Sequence, residues 1–131
     1  MKDLADKVHE MGFMFGLYSS AGTKTCAGKA GSLGFETQDA SDYAAWGVDY
    51  LKYDNCYNTG VPGWERYATM ALALNATKRP IYYSLCNWGN EDVSNWGYKI
   101  ANSWRTTQDI NIYWQPPNQW QQVKSIFLKN Q

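Results

Sequence analysis

Several features that would assign this sequence to a common functional class are missing from it. Its twelve basic and twelve acidic side chains cancel, so the charge does not indicate a nucleic-acid partner or an anionic membrane surface. No apolar run approaches the roughly 18 residues that a membrane-spanning helix requires. The first residues, Met1 to Asp6, predict an amphipathic helix and not a signal peptide. We therefore expect no nucleic-acid or membrane partner, and the chain carries no recognisable export signal.

Histidine and cysteine are scarce, which argues against a metal centre. The single histidine, His9, falls beside the apolar face of the first predicted helix, and we expect a surface or packing residue and not a base. The three cysteines, Cys26, Cys56 and Cys86, match no compact metal-binding spacing, and one is left over if two form a disulfide. The sequence therefore predicts neither a metal nor another cofactor.

Aromatic residues, in contrast, are abundant. Seven tryptophans and ten tyrosines contribute to an aromatic content of 16%, which is more than one core needs. Such rings stack on sugars and other flat ligands, although some of them must fill a Trp-rich core. The 131 residues suffice for one core but are short of the about 250 that a complete α/β barrel typically has.

Helical and strand-like periods alternate along the chain, which is typical of an α/β fold with a parallel sheet. The predicted strands are 13–18, 48–53, 81–85 and 100–104. The predicted helices are 2–11, 37–46, a segment opened by Pro62, 91–99 and 118–128. A Gly-rich loop is predicted at 19–35, and the whole amounts to four βα units.

Charged residues gather where the predicted strands end. Asp54 follows the second strand, Arg105 and Asp109 follow the fourth, and Lys52 shares the pleat face of Asp54. The carboxyl ends of parallel strands lie at one edge, so these groups are expected to meet there. Two carboxylates among aromatic rings favour glycoside hydrolysis. Two structural alternatives stay open: a simple Asp-Asn turn at Asp54, and an Arg105–Asp109 ion pair that pins a loop.

Six ordered segments carry a more specific pattern: Tyr18 to Gly22, Thr25 to Gly28, Gly31 to Gly34, Trp46 to Cys56, Tyr83 to Gly89 and Asn102 to Arg105. Together they resemble the retaining α-galactosidases (melibiases) of glycoside hydrolase family 27, most of all the fungal members. The resemblance implies a (β/α)8 TIM barrel followed by an antiparallel β domain. Residues 1–131 would form a partial catalytic TIM-barrel domain, with four βα units that resemble strands 3 to 6 of the family.

This partial barrel would lack the outer strands of the barrel and the C-terminal β domain. Its sheet would then have two unpaired edges, so we expect self-association into a homo-oligomer and little activity of the isolated chain. An alternative from another class is a non-catalytic half-barrel that self-associates or binds glycans weakly through Trp88, Trp104 and Trp114.

The resemblance also implies catalytic roles. Asp54 would be the nucleophile of a double displacement and Asp109 the general acid/base, with the two carboxyl groups about 5 to 5.5 Å apart. Lys52 and Arg105 resemble residues that bind galactose hydroxyl groups. One departure is Gln108, which stands where the family usually has a glycine before the acid/base.

Cys86 and Trp88 match the pair that closes the family's pocket around the 2-hydroxyl group. Their bulk excludes an N-acetyl group, so α-N-acetylgalactosaminidase activity is the weaker alternative. The implied substrates are α-galactosides such as melibiose, raffinose-type oligosaccharides and galactomannan side chains.

Cys26 and Cys56 match a family disulfide, which would leave Cys86 as a free thiol. In the loop-entropy model such a bond stabilises by roughly 3 to 4 kcal/mol. The family is secreted, which is compatible with the glycosylation sequon at Asn75, although an unused sequon is nearly as common an outcome.

Overall fold

The computed structural model describes residues 1–110 and 118–131 and contains one sheet of four parallel strands in the order β1-β2-β3-β4. The strands are β1 (Gly16–Ser20), β2 (Tyr50–Asp54), β3 (Tyr82–Cys86) and β4 (Ser103–Trp104). The helices are α1 (Lys2–Glu10), α2 (Glu36–Trp46), α3 (Gly63–Ala76) and α4 (Asn118–Lys129). This confirms the predicted α/β class and the partial TIM barrel.

The first three strands end later along the chain than predicted, whereas the fourth ends at Trp104 as predicted. β1 continues through Ser19 and Ser20, two residues that were assigned to the loop. Both hydroxyl groups find partners: Ser19 Oγ lies 2.6 Å from Ser32 Oγ, and Ser20 Oγ donates to the carbonyl of Cys56 at 3.0 Å. Polar residues can therefore extend a buried strand here, because the following loops satisfy them.

The predicted helix at 91–99 is wrong as a continuous α-helix. Two 3₁₀ turns, Val93–Asn95 and Gly97–Lys99, take its place, separated by Trp96 with φ −133°. Gly97 packs so closely on the ring of Trp104 that a Cβ there would lie 3.2 Å from the indole. Glu91 and Asp92 have left-handed backbones, with φ of 54° and 46°, so a continuous right-handed α-helix cannot include them.

The two faces of the sheet differ in burial. One face packs against helices around the fully buried residues Leu51, Tyr53 and Leu85. On the other face, Tyr50 and Tyr82 stack with ring centroids 5.7 Å apart and remain 38% and 47% exposed. The part of the chain that the structure describes therefore leaves this second face open. Among these residues, no helix has both the length and the apolar character needed to span a membrane.

Candidate active site

The sheet register places the carboxylate of Asp54 at the carboxyl edge of the sheet, as predicted. Asp54 is the last residue of β2, is 5% exposed, and pairs with Ser20 on one side and Cys86 on the other. Its Oδ2 accepts a hydrogen bond from the Tyr18 hydroxyl at 2.9 Å, and its Oδ1 accepts one from the backbone N–H of Asn55, also at 2.9 Å. Two donors thus fix the orientation of this nearly buried carboxylate.

Tyr18 is a site residue to which the sequence analysis gave no role. Partial burial raises the pKa of its phenol and the Asp54 carboxylate adds to this shift, so Tyr18 stays protonated at neutral pH and donates. The Lys52 ammonium lies 5.6 Å from the centroid of its ring, and Tyr18 and Lys52 are register neighbours in the sheet. Tyr18 could have been found only from the strand register, which the sequence does not specify.

A buried arginine supports the loops on both sides of Asp54. Arg66 of α3 is 2% exposed and donates to the carbonyl of Ala21 at 2.6 Å, to the carbonyl of Val61 at 2.7 Å and to Asn55 Oδ1 at 2.8 Å. Ala21 follows β1 and Asn55 follows β2, so one guanidinium joins two rim loops. The sequence analysis missed Arg66 because a charge on a helix normally faces solvent.

The predicted disulfide between Cys26 and Cys56 is present, with Cα atoms 5.1 Å apart and a sequence separation of 30. It ties the loop after β1 to the segment after the nucleophile candidate. Both cysteines line an open cleft of about 810 Å³, and Trp88 lines the same cleft. Trp88 has a left-handed backbone, φ 62°, within a turn held by the buried Asn87, whose side-chain amide donates to the carbonyl of Asn90 at 2.6 Å.

The remaining predicted site residues form a chain of contacts that leads from Asp54 to Asp109. Cys86 is a free, buried thiol in register with Asp54; burial raises its pKa, and the nearby carboxylate adds to the shift. Arg105 Nη1 donates to Cys86 Sγ at 3.7 Å and to Asp109 Oδ1 at 2.5 Å. The Asp109 side chain is 78% exposed. The structure therefore brings these residues to one rim, and it also contains the Arg105–Asp109 ion pair that was the structural alternative.

Trp104, another of the predicted glycan-binding tryptophans, does not line the cleft that Trp88 lines. Trp104 is half-buried and packs against the core and Gly97, so its ring serves the fold. Trp114 falls outside the described residues. Asn75, the sequon residue, is exposed near the end of α3.

A second charged cluster lies near the opposite, amino edge of the sheet. His9 Nε2 lies 2.6 Å from Asp49 Oδ2, and Arg79 donates to Asp49 Oδ1 at 2.7 Å. The backbone N–H of Phe15 also donates to Asp49, at 2.8 Å. Partial burial acts to raise the pKa of Asp49, but the hydrogen bonds from Phe15 and His9 and the electrostatic interactions with His9 and Arg79 together lower it. His9 therefore packs α1 against the sheet, as the sequence predicted.

A parallel sheet with charged side chains at its carboxyl edge places the chain in the class of (β/α)-barrel proteins that build their sites at that rim. The family model described as alpha galactosidase A matches residues 1–130, and the chain belongs to this family.

Relatives and solved structures agree with that assignment. The chain is 60% identical over 112 residues to α-galactosidase mel1 of Schizosaccharomyces pombe, a match that covers 82% of this chain and 26% of the relative. A structure of α-galactosidase from Saccharomyces cerevisiae with raffinose superposes with a TM-score of 0.83 at 50% identity, covering 88% of this chain and 27% of that one. α-Galactosidase I of Mortierella vinacea gives a TM-score of 0.83 at 50% identity, covering 88% of this chain and 30% of that one. The chain thus spans about a quarter of the length of the curated relatives that it matches.

Proposed function

We propose that this chain carries the catalytic rim of a retaining α-galactosidase, which hydrolyses terminal α-D-galactosyl residues by double displacement. The observation that carries the proposal is the nearly buried Asp54 carboxylate, oriented by Tyr18 and Asn55 at the carboxyl edge of the sheet, in a chain 60% identical to an α-galactosidase. Retaining hydrolysis requires a nucleophile that is held in one orientation beside a second carboxyl group.

In the first step, Asp54 attacks the anomeric carbon while the glycosidic C–O bond breaks and Asp109 gives its proton to the leaving oxygen. In the second step, Asp109 takes a proton from water, the water oxygen bonds to the anomeric carbon, and Asp54 is released. The two inversions give net retention. A carboxyl separation of about 5 to 5.5 Å, as this chemistry requires, remains a prediction.

The Arg105–Asp109 ion pair is the main obstacle that this mechanism must overcome. A general acid has to present its carboxyl group to the glycosidic oxygen in the first step, whereas Arg105 Nη1 donates a hydrogen bond to Asp109 Oδ1 in the structure. The mechanism therefore requires Arg105 to move from Asp109 to the hydroxyl groups of the bound sugar. The exposure of Asp109 fits such an exchange, since little packing has to be broken.

Substrate specificity would be set around the same rim. Lys52 would bind galactose hydroxyl groups from its position beside Tyr18. Cys86 and Trp88 would limit the space at the 2-hydroxyl group, which favours galactose over N-acetylgalactosamine. The S. cerevisiae structure with raffinose supports raffinose-type oligosaccharides as substrates. Melibiose and galactomannan side chains are proposed as further substrates because they carry the same terminal α-galactosyl group. Secretion would follow from the family assignment.

A chimera tests the proposal independently of whether the isolated chain is active. The matching segment of the S. cerevisiae α-galactosidase is replaced by this chain, and hydrolysis of a chromogenic α-galactoside is measured. We expect turnover that Asp54→Ala abolishes and that the matched surface variant Asp42→Ala leaves intact. A folded chimera without turnover, or turnover that survives Asp54→Ala, would refute the proposal.

Asp109 and the specificity are tested in the same chimera. Asp109→Ala should slow hydrolysis of substrates with poor leaving groups far more than that of an activated aryl galactoside, because only the former need a proton. Chromogenic α-N-acetylgalactosaminide should be a much poorer substrate than the galactoside. The reverse preference would favour the α-N-acetylgalactosaminidase alternative.

The isolated chain has its own competing interpretation, a non-catalytic half-barrel. The open sheet face with its stacked Tyr50 and Tyr82 favours self-association. Gel filtration and the same chromogenic assay separate the two interpretations. Dimers without turnover support the half-barrel, whereas turnover abolished by Asp54→Ala supports an autonomous enzyme.

A further inference from the structure

Residues 105–109, the Asp109 loop, lie against residues 87–90, the turn that follows β3. The loop begins beside β3, where the backbone N–H of Arg105 donates to the carbonyl of Leu85 at 3.0 Å. One residue further on, the carbonyl of Thr106 packs so closely on Gly89 that a Cβ at position 89 would collide with it. The first two residues of the loop are therefore placed by backbone contacts.

Gln108 adds a side-chain contact directly before Asp109. Its Nε2 donates to Asn90 Oδ1 at 3.2 Å, although the two residues are separated by 18 positions in sequence. Gln108 stands where the family usually has a glycine, yet it is not among the described residues with a positive φ. The backbone here therefore does not require glycine, and the glutamine makes a hydrogen bond that a glycine could not make.

The acceptor of this hydrogen bond is itself held in place. Asn87 is fully buried; its Nδ2 donates to the carbonyl of Asn90 at 2.6 Å, and its Oδ1 accepts from the backbone N–H of Gly89 at 3.3 Å. The backbone N–H of Asn90 closes the turn by donating to the carbonyl of Asn87 at 3.1 Å. The next residue, Glu91, accepts from the backbone N–H of Gly63 at the start of α3 at 2.6 Å. The turn is thus fixed by contacts other than the one that Gln108 makes.

We propose that the Gln108 side chain is a tether that fastens the Asp109 loop to the turn after β3, which makes Gln108 a positioning residue for the general acid/base. In the proposed mechanism Arg105 leaves Asp109 for the bound sugar, so Asp109 Oδ1 loses the hydrogen bond from Arg105 Nη1. The Gln108–Asn90 bond involves neither Arg105 nor the Asp109 side chain, so it persists through that step. The tether then keeps the Asp109 carboxyl group near the glycosidic oxygen, as proton transfer requires.

The consequence for catalysis rests on the proposed function, whereas the tether itself does not. One assay therefore follows the loop without any activity, and a second follows the acid/base. Each uses Gln108→Met, which keeps an unbranched side chain without a donor, and Asn90→Ala, which removes the acceptor. Gln38→Met is the matched control, because Gln38 is also exposed and donates to Asp42 Oδ1 at 3.1 Å within α2.

Trypsin cleavage of the full chain after Arg105 measures opening of the loop. Loss of one hydrogen bond changes an equilibrium by about threefold to tenfold. At a low trypsin concentration, where reclosing outpaces cleavage, the cut followed by mass spectrometry should become faster by about that factor in Gln108→Met and in Asn90→Ala. The tether is refuted if Gln108→Met is cut after Arg105 no faster than Gln38→Met.

Kinetics in the chimera measure the acid/base. The value of kcat/KM for raffinose, whose leaving alcohol needs a proton, should fall by about threefold to tenfold in Gln108→Met and in Asn90→Ala. The fall for an activated aryl galactoside should be clearly smaller, whereas a loop that only stabilised the fold would lower both values by the same factor. The double variant should be no slower on raffinose than either single variant, because all three lack the same bond. Equal losses on the two substrates, or additive losses in the double variant, would overturn the positioning role.

Asp109→Ala separates failure of this proposal from failure of the proposed function. If Asp109→Ala slows raffinose and the aryl galactoside equally, Asp109 is not the acid/base, and both the proposed mechanism and the positioning role of Gln108 are wrong. Faster cleavage after Arg105 in Gln108→Met would then still support the tether. If Asp109→Ala discriminates between the two substrates and Gln108→Met does not, the acid/base assignment stands and only the positioning role is wrong.

Discussion

Replacing Arg66 by methionine should destabilise the chain by about 2–4 kcal/mol. Methionine is unbranched like arginine but shorter and apolar, so it removes the donors of all three hydrogen bonds. Two of the acceptors left behind, the carbonyl of Ala21 and Oδ1 of Asn55, belong to buried residues that water does not easily reach. Each buried acceptor without a partner costs about 1–3 kcal/mol. The gain from burying an apolar side chain, and from no longer burying a charge, offsets part of this cost.

Urea unfolding of the oxidised chain, followed by tryptophan fluorescence, measures the effect. Arg66→Met should lower the midpoint with an unchanged slope, and Arg66→Lys should fall between, because an ammonium can reach some of the three acceptors. Lys7→Met on α1 is the control for loss of an exposed cation and should shift the midpoint little. If Arg66→Met unfolds at the same urea concentration as Lys7→Met, the guanidinium does not hold the rim loops and the reasoning is wrong.

Three further outcomes follow from contacts elsewhere in the chain. Tyr67→Phe should raise the melting temperature slightly in calorimetry, because the buried Tyr67 hydroxyl has no hydrogen-bond partner among the described residues. Tyr83→Phe should lower the melting temperature, because the Tyr83 hydroxyl donates a hydrogen bond to the carbonyl of Tyr67 in α3. Equal shifts for the two variants would contradict this reasoning. The pKa of Asp49 is lower in the folded chain than in the unfolded chain, so the ionised carboxylate stabilises the fold. This stabilisation is fully present above the unfolded-state pKa of about 3.9 and is lost as the pH falls through the folded-state pKa. Urea unfolding at a series of pH values should therefore show a lower free energy of unfolding for Asp49→Asn at neutral pH. Below about pH 4, this free energy should depend less on pH in the variant than in the unmodified chain. Parallel pH profiles for the two proteins would refute the assignment. Gly89→Ala should be far more destabilising than Gly12→Ala in the same assay. Both glycines have positive φ, so both substitutions strain the backbone, but only a Cβ at position 89 would collide with a carbonyl of the loop after β4.

The order of the secondary-structure elements and the location of the candidate site at the carboxyl edge of the sheet could be predicted from the sequence, because both depend on local patterns. The alternation of helical and strand-like periods predicted a parallel sheet. The position of Asp54 directly after an apolar, β-favouring run predicted that its carboxylate lies at the end of a strand. The strand ends could not be predicted, since Ser19 and Ser20 read as loop residues until their loop partners are known. Tyr18 and Arg66 were missed for the same reason. Their roles depend on which residues the register and the loops bring beside them.

The disulfide needed different information. The three cysteines alone left the pairing open, and only the resemblance to a family selected Cys26 with Cys56. In the structure the bond lies beside Asp54 and joins the loops after β1 and β2, the same two loops that Arg66 connects. Family resemblance and contact geometry thus supply complementary parts of the site.

The rim around Asp54 is held by contacts within this chain, although the chain is about a quarter of its relatives. Arg66 joins the loops after β1 and β2 by hydrogen bonds, and the disulfide links the same two loops covalently. The loop after β3 is tied to α3, because Glu91 accepts the backbone N–H of Gly63 at 2.6 Å. The Asp54 carboxylate is therefore oriented by contacts within this chain. In the chimera the remaining barrel strands come from the S. cerevisiae α-galactosidase and the rim around Asp54 is unchanged, which is why the chimera is the decisive test of catalysis.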